Sequence, residues 1–261
     1  IHTIPNKVNT LLPLTPKEKI DIFRGLFRGR EDVFARRWYS TTLNKGGYQP
    51  VCQREWNVEF CNKKKYRCAN CPNRQFAPLT YNDIYCHLQG KDELGRDVIG
   101  LYVVMQDNTC YLLCADFDDK SCEHGYKNDV LSFTQVCQDW GIPYAIERSR
   151  SGNGAHVWIF FDTPILASKA RKLGFSIISE AMNRNGRMTF RSYDRFFPNQ
   201  DRLPEGGLGN LVATDRIGEG VLGVHLEVVV AALREDVDDA VQHLLPRDAV
   251  VRDVQVIADD L

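Results

Sequence analysis

The chain has 261 residues, 43% of them hydrophobic and 26% charged, with a formal net charge of −1, a composition that fits one large soluble domain or two small ones. No apolar run approaches the roughly 18 to 20 residues that cross a bilayer, and the first residues lack the charged-then-apolar pattern of a secretory leader, so a cytoplasmic protein with no membrane partner is expected. Residues 216–261 hold four Arg against ten Asp or Glu, net −6, which leaves +5 on residues 1–215, a mild basic balance that fits a polyanionic partner without requiring one.

Residues 1–13, with their Pro and Asn, read as an irregular lead-in. Thr15-Pro16-Lys17-Glu18 then starts a helix, with Thr15 as N-cap, Pro16 at the first helical position and Glu18 completing a capping box. Ile20, Phe23, Leu26 and Phe27 follow at helical spacing. Arg24, Arg28, Arg30, Arg36 and Arg37 interleave with Phe27, Phe34, Trp38 and Tyr39, which is either a grip for a nucleic-acid backbone and its bases or a surface helix pair with Arg on its wet side. Asn44 to Tyr48 reads as a loop or tight turn.

Cys52, Cys61, Cys68 and Cys71 come next, four of nine cysteines in the chain. An odd total, with the other five among apolar neighbours, is unlike a secreted disulfide framework. The two-residue spacer of Cys68-Ala69-Asn70-Cys71 lets both thiolates face one ion, and Cys52 and Cys61 supply a looser second half, the donor set of a closed structural Zn²⁺ site. Arg54, Lys63, Lys64, Lys65, Arg67 and Arg74, set beside Trp56, Phe60 and Tyr66, make this segment either a basic clamp for a nucleic-acid strand or a solvated charged face.

Beyond Phe76 the pattern is globular. Ile84 to Leu88 reads as helix, Gly90 to Gly95 as a charged turn, and 98–105 with 110–117 as an antiparallel hairpin turning at Asp107-Asn108. The second of these strands carries the most informative stretch. Tyr111 to Ala115 is apolar and strand-like, and Asp116-Phe117-Asp118 continues it, so alternation points both carboxylates to one face about 6 to 7 Å apart. Such a pair repels itself unless a cation intervenes, and oxygen ligands suit Mg²⁺ or Mn²⁺; the plainer alternative is a strand end running into the acidic turn at Asp118-Asp119. Asp129 to Trp140 reads as a helix closed by Gly141, and a strand begins at Pro143.

Glu147 to Phe161 enters a Ser/Gly-rich turn and leaves as a strongly apolar strand. Gly152 and Gly154 let backbone amides approach an anion, and Arg148, Arg150, Ser151 and His156 surround the turn with donors, the makings of a phosphate site. His156 also fits a hydrogen-bonded core position. Ser168 to Asn183 is read as a helix with Ala170, Leu173, Ile177 and Ala181 on one face. Asp194, after a strand-like segment at 188–191, is a candidate third carboxylate, or else the partner of Arg191 or Arg195. Pro204 to Asn210 is a glycine-rich loop.

Taken together, Asp116-Phe117-Asp118, Ser151-Gly152-Asn153-Gly154-Ala155-His156 and Asp194 resemble, in order, the three motifs of the archaeo-eukaryotic primase superfamily. Cys68-x2-Cys71, Glu147 to Phe161, Tyr193 to Asp201 and Gly207 to Leu211 are similar, more narrowly, to the primase-polymerase domain of TOTE conflict systems and its CRISPR-associated relatives, over about residues 23–212. The resemblance implies an α+β fold, an RRM-like antiparallel sheet packed on an α/β unit, with a small zinc-binding insertion. It implies template-directed synthesis from nucleoside triphosphates on single-stranded or primed DNA, with CRISPR adaptation proteins or a fused helicase or nuclease as partners. By position, Asp116, Asp118 and Asp194 are then the catalytic carboxylates of a two-metal Mg²⁺ or Mn²⁺ site, and Ser151, Gly152, Gly154, His156, Arg148 and Arg150 the nucleotide site.

The implied organisation is an N-terminal helical segment at 1–50, a zinc module at 51–75, a catalytic core at 76–212 and an acidic segment at 213–261. That last segment has no Lys, Cys, Phe, Tyr or Trp, unlike the rest of the chain, and 221–233 and 237–245 read as helices or strands. Two other functions stay open: a metal nuclease, which has little use for the His156 turn, and a nucleic-acid-binding module without catalysis.

Overall fold

A computed structural model describes residues 15–118, 125–149, 153–186 and 190–214, together with the backbone of Val228–Val229. The expected capping box forms. The Thr15 hydroxyl accepts from the Glu18 N–H at 3.3 Å and the Glu18 carboxylate accepts from the Thr15 N–H at 2.7 Å, which starts helix α1 (Pro16–Leu26). Strands β1 (Ala35–Ser40) and β2 (Lys45–Pro50) follow as a hairpin, then α2 (Tyr81–Gln89), β3 (Ile99–Tyr102), β4 (Thr109–Asp118), α3 (Gly125–Asp139), β5 (Tyr144–Arg148), β6 (Gly154–Leu166), α4 (Ala167–Arg184), β7 (Tyr193–Phe197), β8 (Leu211–Ala213) and β9 (Val228–Val229).

The fold is α+β, built on two antiparallel sheets. One has the order β2-β1-β3-β8 and the other β7-β4-β6-β5-β9. The path β4-α3-β5-β6-α4-β7 is a β-α-β-β-α-β unit, with β4 and β6 in the middle of its sheet. Both helices cover one face. Val130, Phe133, Val136 and Cys137 of α3 and Ala170, Leu173, Ile177 and Ala181 of α4 share a core with Leu113, Ala115, Phe117, Val157, Ile159 and Phe161, the helical stripes legible in the sequence. On the opposite face Leu112, Cys114, Trp158 and Phe160 meet Leu101, Val103 and Val212 from the region of the first sheet, with Phe27 beside them. The β4 strand thus has one helix-covered face and one face turned to the other sheet.

Several expectations change. Strands β3 and β4 are not a hairpin. A tight turn is present, with the Met105 N–H donating to the Thr109 carbonyl at 2.8 Å, but β4 is paired on both edges by β6 and β7, so β3 finds its partners in β1 and β8. Residues 35–40 form a strand and not the second member of a helix pair, because Gly29 brings the chain against the Tyr102 carbonyl, where a Cβ would stand at 2.8 Å, and Trp38 and Tyr39 favour a pleated surface. Lys45 to Tyr48, read as a loop, is strand apart from the turn at Asn44. Residues 1–50 are not a separate helical segment among the described residues, since β1 and β2 complete the sheet of β3 and β8. Asp194 lies within β7 itself, and residues 188 and 189 of the strand-like segment expected at 188–191 lie outside the described residues. Residues 215–227 and 230–261 lie outside the described residues, as do the expected elements there apart from β9, which pairs with Tyr144 and Ala145.

Helix and sheet approach closely at Gly174, where a Cβ would stand 2.6 Å from the Phe196 ring. Elsewhere in a helix Gly→Ala gains about 1 kcal/mol; here Gly174→Ala is expected to lose about 1–3 kcal/mol through overpacking. Chemical denaturation at unchanged m-value measures it.

Candidate active site

The site is a row of side chains across the second sheet. Asp116 on β4 is in register with His156 on β6 and with Arg195 on β7, and His156 is in register with Glu147 on β5. Residues directly opposite in neighbouring strands share a face, so Arg195, Asp116, His156 and Glu147 line up across four strands. Their face is that of Cys114 and Trp158, turned toward the first sheet; the other face belongs to the helices.

Asp194 joins this row through a β-bulge. Asp116 is opposite Arg195, yet the next residue, Phe117, is opposite Tyr193, so β7 holds one residue too many at Asp194. Tyr193 and Phe196 then both pack on the helix side, with ring centroids 4.9 Å apart, and the two residues between them, Asp194 and Arg195, are left for the site face. Bulges re-aim side chains in this way next to active sites. The start of β7 is fixed from below: Asp129 on α3 accepts from both the N–H and the hydroxyl of Ser192, at 3.0 and 2.6 Å, all buried, while the Ser192 carbonyl accepts from the Asp118 N–H at 2.7 Å.

The electrostatics show that the carboxylates have been brought together. Burial holds the Asp116 carboxyl above the usual carboxylate range, His156 pulls it back, and the like charges of Asp194 and Asp118 push it up again. Asp194 is paired with Arg195 at 2.8 Å, the pairing anticipated as the plainer alternative, and it still faces Asp116. His156 is 9% exposed and hydrogen-bonded, with Nδ1 2.9 Å from Glu147 Oε2 and Nε2 3.5 Å from Asp116 Oδ1. It is a buried, satisfied histidine and also a neighbour of the acidic cluster.

Gly154, opposite Asp118, is required for close approach, because a Cβ there would collide with the Phe117 carbonyl oxygen. The turn it closes is pinned by the Ser149 N–H donating to the Gly154 carbonyl at 2.9 Å. Arg150, Ser151 and Gly152 lie outside the described residues. Arg148 is opposite Ala155, on the helix face, one step out of the row that holds His156. Sequence reasoning missed Glu147, Asp129 and Arg195 as parts of the site. Glu147 could have been found from its spacing, since a residue at the end of β5 must face one at the start of β6 once the turn is a hairpin.

The cysteine segment is a separate excursion. It leaves and returns at the Cys52–Phe76 bridge, with the Gln53 N–H donating to the Gln75 carbonyl at 2.8 Å. Lys63 stands 3.9 Å from the centroid of Trp56, and Arg54 stands 4.7 Å from that of Phe60. Cys52, Cys61, Cys68 and Cys71 are free thiols. Burial raises the Cys68 thiol, Lys63 lowers it, and Cys61, Glu55 and Cys52 raise it further, so three of the four sulfurs share one neighbourhood. Among the described residues, however, no group of three or more His, Cys, Asp or Glu is arranged to hold a metal ion, here or at the carboxylates. The donor types, thiols in the one segment and carboxylate oxygens at the other, are those that Zn²⁺ and Mg²⁺ or Mn²⁺ respectively take. No helix among the described residues is long and apolar enough to cross a membrane.

The family model for the TOTE conflict system archaeo-eukaryotic primase domain matches residues 18–214. No curated protein matches the chain.

Two outcomes follow from the site's construction. Asp129→Ala leaves two buried donors of Ser192 without an acceptor and is expected to cost about 1–3 kcal/mol, measured by thermal or chemical unfolding. Because the native Asp116 carboxyl ionises less readily than the unfolded one, the native state holds the extra proton just above the ordinary carboxylate range, and stability falls as pH rises through that window. Asp116→Asn is therefore expected to raise the melting temperature at neutral pH, with the gain vanishing below about pH 3, as differential scanning calorimetry would record.

Proposed function

The chain belongs to the archaeo-eukaryotic primase domains of TOTE conflict systems, and on that premise we propose that it is a primase-polymerase, a nucleotidyltransferase that joins nucleoside triphosphates on a single-stranded or primed DNA template. The observation that carries the reading is the meeting of Asp116, Asp118 and Asp194, from strands far apart in the chain, beside His156 on one sheet face.

In the proposed reaction, the hydroxyl oxygen of the growing strand attacks the α-phosphorus of the incoming nucleotide. A new P–O bond forms, the bond to the β-phosphate oxygen breaks, pyrophosphate leaves and the hydroxyl proton passes to water. Mg²⁺ or Mn²⁺ held by Asp116, Asp118 and Asp194 would supply the positive charge that such a displacement needs. His156 is assigned to hold the triphosphate together with Arg150, Ser151, Gly152 and Gly154, glycine being the residue that lets phosphate oxygens approach backbone N–H groups. Arg195 restrains Asp194 by an ion pair. We assign Cys52, Cys61, Cys68 and Cys71 to a structural Zn²⁺ that closes the excursion. Its aromatic and basic side chains, Trp56, Phe60 and Lys63, suit a single strand with its bases unstacked.

Primer extension with dNTPs or NTPs and Mn²⁺, run with and without a primer, tests the reading. Asp116→Ala is expected to lower incorporation by at least about 10³-fold with template binding retained. Template degradation without extension would instead select a metal nuclease, and template binding with no turnover in either protein would select a binding module.

A further inference from the structure

We propose that Glu147 is a positioning residue for nucleotide binding, holding the His156 ring so that its Nε2 edge faces the acidic cluster. The inference rests on the reading of this site as one for nucleotidyl transfer.

Glu147 and His156 are directly opposite in the β5–β6 hairpin. One oxygen, Glu147 Oε2, meets both His156 Nδ1 at 2.9 Å and Trp158 Nε1 at 3.0 Å. An indole nitrogen only donates, so Oε2 is an acceptor there, and an acceptor facing Nδ1 at this distance places the ring hydrogen on Nδ1. The imidazole has two nitrogens in fixed geometry. With Nδ1 committed to Glu147, the Nε2 edge is the one directed to Asp116 Oδ1, 3.5 Å away, a separation beyond a good hydrogen bond.

The acceptor itself is immobilised. Trp158 is completely buried, stacks on Phe160 with centroids 6.2 Å apart and an interplanar angle of 3°, and takes the Phe27 ring edge-on at 5.0 Å. A rigid indole fixes the carboxylate, and the carboxylate fixes the imidazole. The same arrangement orients histidines that bind metals, where loss of the outer partner costs about 10–100-fold. Glu147 touches neither substrate nor reacting atoms in this scheme; it acts through His156.

Steady-state incorporation and direct binding of a fluorescent dNTP distinguish this role from a structural one. Glu147→Ala is expected to raise the nucleotide KM by about 10-fold or more while kcat changes less than about twofold. Glu147→Gln, which keeps an acceptor oxygen, should bring KM back to within about threefold of the parent, and Trp158→Phe, which keeps the stack but frees Glu147, should fall between. Ring ¹⁵N resonances of His156 should show Nδ1 protonated in the parent protein and an altered tautomer in Glu147→Ala. Unchanged KM in Glu147→Ala, equal loss in Gln and Ala variants, or Nδ1 found unprotonated in the parent would overturn the inference. Should Glu147→Ala fail to fold, the Gln and Phe variants and the parent spectrum carry the test. A parent protein that neither binds nor incorporates nucleotides defeats the functional reading instead, and the spectrum still decides whether Glu147 sets the ring.

Discussion

The pairing of β4 on both of its edges is the constraint from which the site follows. An edge strand can slip by one residue and exchange its faces, but β4 is held between β6 and β7, and its helix-side residues Leu113, Ala115 and Phe117 are fully buried. A slip would put those side chains where Asp116 now stands and drive a carboxylate against α3 and α4. Burial of an unpaired carboxylate costs several kcal/mol, so the hydrophobic pattern fixes the direction of the acidic pair more firmly than any contact the carboxylates make themselves. The single extra residue in β7 completes the arrangement by turning Asp194 to the same side.

Basic and acidic side chains alternate along the resulting row, from Arg195 through Asp116 and His156 to Glu147. Cross-strand pairs of opposite sign contribute only about 0.2–1 kcal/mol each, which does not explain three carboxylates drawn together at the end of a sheet. The raised Asp116 carboxyl is the mark of an arrangement that costs the fold stability. Shifted ionisation of this kind is commonest at functional sites.

Much of this was legible before the structure. The apolar run ending at Asp116-Phe117-Asp118 gave its own face by alternation, and the stripes of α3 and α4 were readable from their 3.6-residue period. What could not be read was long-range. Asp194 breaks the twofold period of β7, so alternation alone puts it on the wrong face, and only the register with β4 shows the bulge. The tight turn at Asn108 looked like the tip of a hairpin because turn chemistry is local, whereas the choice of sheet depends on which edges are already taken. Arg148 was grouped with His156 by proximity in sequence, yet one residue along a strand is the opposite side of the sheet. Glu147 passed unnoticed because its role shows only when the β5–β6 register sets it opposite His156 and beside Trp158.

The cysteine excursion enters and exits through one bridge, Cys52 to Phe76. In polymer terms it is a ring closed at its neck, and the entropy of closing such a ring grows only as the logarithm of its contour. Changes of length away from the residues that touch the body, Lys63 against Gln49, Arg74 against Gly206 and Ala69 beside Tyr102, therefore alter the cost of closure only slightly.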